Sequence, residues 1–286
     1  MNEERVMMLN SKSKNLVLTV FIFLVLLTST HPVEAKKNVL TVPGDYPTIQ
    51  AAVDDANPGD TIKVGPGEWV GAIIDKPVTL VGEPGAIIVD GEYIYGYYEG
   101  AEIVGFWITP EGAGSTIRSF TFKGGPIGDT DRVLHFAVFA RGTDSITVTM
   151  NNIVDCVQCI TNNGGDNWVI TFNKIHIISP YGTAIFVTNS EGTTNGNLIA
   201  FNSIETNNPY SPVSFSQRWG EYISTNNRIV ANKITNPSGK GISLLYCVPN
   251  LFFNNIIALN DLRECATPLE IPLGIIEVNT IRMNLT

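Results

Sequence analysis

The chain has 286 residues, a formal net charge of -9 and a sequence pI near 4.8. That balance argues against nucleic acid or an anionic membrane face as partner, since both demand basic patches. With 44% apolar but only 16% charged residues, the polar surface has to come from Asn, Thr, Ser and Gly, the composition of a β-rich chain.

The chain opens with a basic flank, Lys12 and Lys14, ahead of the apolar block LVLTVFIFLVLL at 16–27. Its 12 residues are too few for a comfortable membrane span. Val33-Glu34-Ala35 offers a cleavage site, so 1–35 reads as a signal peptide and the mature chain is expected to be secreted or held at the cell surface. The segment 36–72 reads as an N-terminal cap, a strand plus an amphipathic helix. Thr48 is its N-cap, Ile49, Ala52 and Val53 form one apolar face, and Asn57-Pro58-Gly59-Asp60 stops it. Laid over a first circuit of strands, such a helix blocks edge pairing.

Beyond it no run of ten residues has a helical period. Short β-branched strands alternate with Asn, Gly, Pro and Ser corners instead. The frame Asn, any residue, Ile recurs at Asn151, Asn173, Asn202, Asn232, Asn254 and Asn279, at intervals of 22, 29, 30, 22 and 25 residues. A second apolar strand follows each corner, as in TAIFVT at 183–188, PVSFS at 212–216 and GISLL at 241–245. Units too short to bury a face alone stack as coils. The predicted fold is therefore all-β, a single-stranded parallel β-helix of about eight coils over 73–286, with strands about 4.8 Å apart. The six asparagines are expected to hydrogen-bond in one row. Beside them Ile153, Ile175, Ile204, Ile234, Ile256 and Ile281 are expected to form a core row.

Aligning the frames places Val154, His176, Glu205, Thr235 and Ile257 at one position, with His176 beside Glu205. That pair reads either as an acid/base couple or as a solvated cross-strand pair. The two longest intervals carry the loops 189–197 and 216–227, expected to emerge side by side. The second holds Gln217, Arg218, Trp219, Glu221 and Tyr222, aromatic faces beside fork-like donors that suit sugar rings. Tyr93, Tyr95, Tyr97, Tyr98 and Trp107 form an earlier aromatic cluster.

Export would permit disulfides among Cys156, Cys159, Cys247 and Cys265 without requiring them. Cys159 aligns with Ala137, Ala184 and Gly241, a buried core position, while Cys247 and Cys265 could bridge adjacent circuits. One C-x-x-C pair and three histidines give no zinc or copper set. The ending IIEVNTIRMNLT reads as a strand with an asparagine corner and no lid, either frayed or open to end-to-end self-association.

The segments TIQAAVDDANPGDTIKVGPGEW, VTLVGEPGAIIVDG and STIRSFTFKGG resemble the opening of the pectin lyase-like parallel β-helix proteins, which include pectin methylesterases, polysaccharide lyases and NosD-type exported proteins. The resemblance implies a right-handed coil. It also directs attention to GDTDRVLHF at 128–136, where Asp129, Asp131 and Arg132 are similar to the acidic stretch of the esterases, and to calcium, which the lyases of that family hold on aspartates. No complete lyase, esterase or hydrolase motif is present. The expected function is binding, with processing open, of an extended polysaccharide along one flank. A non-catalytic surface or adhesion protein and a NosD-type accessory of metal-centre assembly are the alternatives.

Overall fold

The computed structural model describes residues 38–95, 101–125, 134–217, 221–282 and 284–286. Strands of three or four residues dominate because each corner supplies only one inward side chain between two outward ones. Thr116–Arg118, Thr147–Thr149, Val169–Thr171, Leu198–Ala200, Arg228–Val230 and Ile256–Ala258 all bury their central residue. These strands belong to a ten-stranded parallel sheet that runs from Val39–Val42 to Thr280–Arg282 in sequence order. Its inward residues, from Ile62 and Leu80 through Ile117, Val148, Ile170, Ile199 and Ile229 to Ile257, stack into a dry aliphatic column.

After a corner the chain enters a second parallel row, including Thr121–Lys123, Asn152–Val154, Lys174–Ile177 and Ser203–Thr206. After another corner it enters a third, including Phe136–Arg141, Gln158–Asn163, Thr183–Thr188 and Val213–Ser216. The 11-residue strand Lys233–Ser243 spans both rows and joins them into one sheet. Parallel partners separated by a whole repeat make a solenoid-like arrangement, in which non-local pairing carries the architecture. Inside it Phe106 meets Phe120 and Phe122 edge-on, with centroids 5.2 and 5.7 Å apart.

The helix Ile49–Asp55 packs on Val39–Val42, Thr61–Val64 and Ala72–Ile74, with Ile49, Ala52 and Val53 buried. Thr48 Oγ1 accepts the Ala51 N–H at 3.1 Å. Just beyond the helix the buried Asp60 carboxylate accepts the N–H groups of Asn38 and Asn57, each at 2.8 Å, and these bonds hold its carboxyl below the usual range.

Two expectations need correction. The asparagines form two ladders instead of one row. The first runs Asn151, Asn173, Asn202, Asn232, Asn260, Asn284, and each side-chain amide donates to the next Oδ1 at 2.9–3.1 Å. The second runs Asn197, Asn227, Asn255, Asn279, with each link at 2.9 Å. Asn279 thus belongs to the second ladder. Asn254 belongs to neither, and takes a left-handed turn conformation at φ 57°. A slip of one residue flips every side chain to the opposite face. The core accordingly continues through Ile257, in register with Ile229 and Ile281, while Ile256 faces outward beside Arg228. Leu262 takes the inward place after Ile234. The second correction concerns the ending, where Leu273–Val278 is a helix and only Thr280–Arg282 is a strand.

Candidate functional site

Four successive strands of the third row end on a polar residue. Arg141, Asn163, Thr188 and Ser216 stand in register on successive strands, and Phe139, Thr161, Phe186 and Ser214 stand in register two positions earlier. These side chains alternate with Val138, Ile160, Ile185 and Val213, which point into the aliphatic core. Phe139 accordingly packs in a separate cluster with Val104, Phe136 and Trp107. Although turned away from the core, Thr161, Asn163, Thr188 and Ser216 are buried.

The two long loops run together beside this line. Thr194 N–H donates to Ile223 O at 3.1 Å, Gly196 N–H to Thr225 O at 3.0 Å, and the Thr194 and Ser224 hydroxyls share a bond of 2.7 Å. Asn189 Nδ2 donates to the Tyr222 carbonyl, and Ser190 Oγ to Asn163 Oδ1. Gln217 Oε1 accepts the Val248 N–H at 2.9 Å. Three polar atoms here are buried and satisfy no hydrogen bond: Thr188 Oγ1, Asn189 Oδ1 and Gln217 Nε2. They lie on two neighbouring strand ends, since Thr188 pairs with Ser216 and each chain then turns into its loop. A buried polar atom without a partner costs free energy, and three of them lie together on these adjacent strand ends.

Charge is sparse in this line. The Arg141 guanidinium lies over the Phe139 ring, 5.5 Å from its centroid. Further along the same face Lys240 meets Glu270 at 2.6 Å and Ser243 Oγ donates to Glu270 at 2.7 Å. Burial raises the Glu270 carboxyl, and those bonds overcome it, leaving it below the ordinary value. At the start of the row His135 Nδ1 accepts the Ile103 N–H at 3.2 Å. Partial burial lowers the pKa of this imidazole against the opposing pull of the Glu102 carboxylate.

Of the residues singled out in the sequence, Gln217 is thus in the site, Tyr222 is exposed but anchors Asn189 through its carbonyl, and Glu221 is exposed. Arg218, Trp219, Asp129, Asp131, Arg132, Tyr97 and Tyr98 lie outside the described residues. His176 and Glu205 are direct register neighbours on the exposed face of the second row, not in the third-row line, and no hydrogen bond joins them among the described residues. Tyr93 is exposed. Among the described residues no three His, Cys, Asp or Glu side chains gather as a metal site. All four cysteines are free and buried, so no bridge joins Cys247 to Cys265, and burial pushes the Cys247 thiol up. A depression of about 610 Å³ lined by Pro249, Phe253, Asn254, Ile256, Glu277 and Thr280 holds none of the unpartnered atoms.

Sequence reasoning found Gln217 but missed Arg141, Asn163, Thr188 and Asn189. Their signal was present: FAVFAR, QCITNN and TAIFVT each close an apolar run with a polar residue.

No protein-family model and no curated protein sequence matches the chain. Solved structures do. The catalytic domain of a GH87 alpha-1,3-glucanase in complex with tetrasaccharides superposes with a TM-score of 0.58 at 16% identity, over 80% of this chain and 40% of that one. An exopolygalacturonase from Thermotoga maritima gives 0.56 at 11% identity, over 79% of this chain and 68% of that one. A DFA-IIIase from Arthrobacter chlorophenolicus A6 in complex with DFA-III gives 0.51 at 16%, over 81% and 67%. The resemblance to pectin lyase-like parallel β-helix proteins holds at the level of fold. These structural neighbours are carbohydrate-active enzymes, and the chain spans about two fifths of the length of the glucanase domain. No helix among the described residues is long and apolar enough to cross a membrane.

Proposed function

We propose that the chain is an exported, right-handed, single-stranded parallel β-helix that binds an extended carbohydrate along the outer face of its third row. In this reading 1–35 is a signal peptide, 36–72 caps the solenoid, and 73–286 carries the binding face. The observation that carries it is the trio of buried, unpartnered atoms on Thr188, Asn189 and Gln217. A sugar chain supplies hydroxyls that both donate and accept, matching an amide donor, an amide acceptor and a hydroxyl at once. The Arg141 guanidinium at the end of a neighbouring strand of the same row suits the hydroxyl edges of such rings. The oligosaccharides bound by the structural neighbours support the same ligand class. The polar trio supports recognition and includes no proton donor and acceptor pair for cleavage.

Calorimetric titration of the full chain with pectic and α-1,3-glucan oligosaccharides tests the proposal. Binding that weakens at least about tenfold in Gln217→Ala, and is unchanged in Tyr210→Ala at a distant corner, is the expected result. Equal affinity in the two variants, or binding of neither glycan class, sinks it.

A further inference from the structure

Two corners of each repeat use the same left-handed backbone turn, and they fill it differently. At the corner that precedes the second asparagine ladder the turn residues are Ser145, Asn167, Gly196, Asn226 and Asn254, for which a positive φ is cheap. At the corner that precedes the first ladder the turn begins with Ser119 at φ 65° and is then filled by five residues, Met150, Phe172, Phe201, Ala231 and Leu259, with φ between 56° and 60°. Bulky apolar side chains are disfavoured there conformationally. They are also wasted as core residues, because Met150, Phe172, Phe201 and Leu259 are 54–59% exposed. Strand register places the five in single file, one per repeat, over about 19 Å. Phe172 and Phe201 lie parallel, with an interplanar angle of 8° and centroids 5.2 Å apart, so they present edges and not faces to solvent.

The charged residues in the two columns directly flanking this file, from one repeat before it to one after, are Arg118, Lys174, Lys233, Arg282 and Asp261. Four are basic, and the carboxylate of Asp261 is taken up by Arg263 at 2.8 Å. One column further out Lys123 and His176 accompany Glu205 and Glu264. In the whole chain acids outnumber bases 27 to 18. The net charge of -9 therefore conceals a local basic rim around an exposed apolar edge.

We infer that this corner is a docking face for an anionic lipid surface. Apolar side chains enter the headgroup boundary while Lys and Arg beside them meet acidic headgroups. A convex single file suits a deformable lipid interface, whereas a protein partner would need a matching groove. A second copy of the chain joined through a two-fold axis would set two basic rims against each other.

The test uses an environment-sensitive fluorophore on an introduced thiol, because the four native cysteines are buried. With vesicles of phosphatidylglycerol and phosphatidylcholine, the label in Phe201→Cys is expected to shift to the blue and to be quenched by brominated acyl chains. The label in Tyr210→Cys, on another exposed corner, should do neither. The reading at residue 201 is local and so is independent of the apolar segment 16–27. Lys174→Glu with Lys233→Glu should weaken vesicle affinity at least about tenfold, and added salt should weaken it too. For the unlabelled chain, Phe172→Asn with Phe201→Asn should lower co-sedimentation with the same vesicles about tenfold or more. No shift at residue 201, an equal shift at 210, or undiminished co-sedimentation of the double asparagine variant overturns the inference. A shift that grows with protein concentration in the absence of vesicles overturns it in favour of self-association.

Discussion

Asn202 Oδ1 accepts both the backbone N–H and the side-chain amide of Asn173, each at 3.0 Å, and Asn202 repeats the same pair of donations to Asn232 at 3.1 and 2.9 Å. Its Nδ2 also reaches the Ile170 carbonyl at 2.9 Å. In Asn202→Ala the two donors of Asn173 and the Ile170 carbonyl all lose this partner inside a buried corner, at about 1–3 kcal/mol for each group left without a substitute. The expected loss is about 3–5 kcal/mol, against about 1 kcal/mol for Asn284→Ala at the half-buried end of the ladder. Denaturant midpoints measure both, and equal losses would contradict a ladder whose interior rungs are the costly ones.

The left-handed corner makes a second expectation, opposite in sign to ordinary truncation. Replacing Phe172 by Asn relieves about 1–2 kcal/mol of backbone strain and forfeits about 0.5–1.5 kcal/mol of ring contact with Phe201. The melting temperature of Phe172→Asn should therefore equal or exceed that of the parent. Phe122→Ala, inside the aromatic cluster, should cost about 3–5 kcal/mol. A clear fall in Phe172→Asn would show that the exposed ring supports the fold itself.

His135 gives a pH dependence with a definite sign. Its folded pKa lies below the ordinary value near 6.5, chiefly because burial disfavours the cation. Its Nδ1 must also stay unprotonated to accept the Ile103 N–H. Such a group contributes stability that is fully present above about pH 6.5 and is lost as the pH falls through the folded value. His135→Gln, which keeps an acceptor and cannot titrate, should flatten the decline of the thermal midpoint between about pH 7 and 5. An unchanged slope assigns that decline to other groups.

These residues also show what could be read in advance. The helix after Thr48 was legible from its cap, apolar face and stop signal, and the stacking of His176 beside Glu205 and the alignment of Cys159 with Ala137 and Ala184 were legible because each depends on spacing within a short repeat. Spacing selects Asn254 in place of Asn260 as the residue after Asn232 because each repeat carries two asparagine corners and the coil length varies from 22 to 30 residues, so an interval alone does not say which corner an asparagine occupies. The helix Leu273–Val278 was missed because six residues are too few to show a helical period. The unpartnered atoms of Thr188, Asn189 and Gln217 could not be read at all. That a polar atom lacks a partner is a property of everything packed around it, and no local pattern encodes it.

Thr188 separates recognition from stability most sharply. Its hydroxyl is buried, and Oγ1 has no hydrogen bond to lose. Thr188→Val replaces that hydroxyl by a methyl group of the same shape in a strand that favours β-branched residues. Burying a methyl in place of an unsatisfied hydroxyl should stabilise the chain by about 1 kcal/mol. The same change removes a donor and acceptor from the third-row line and should weaken oligosaccharide binding about tenfold. A residue kept for packing would show the reverse, with stability falling and affinity holding. Unfolding and calorimetric titration on one preparation decide between them, because only a polar group retained for a ligand yields a variant that is more stable and binds less well.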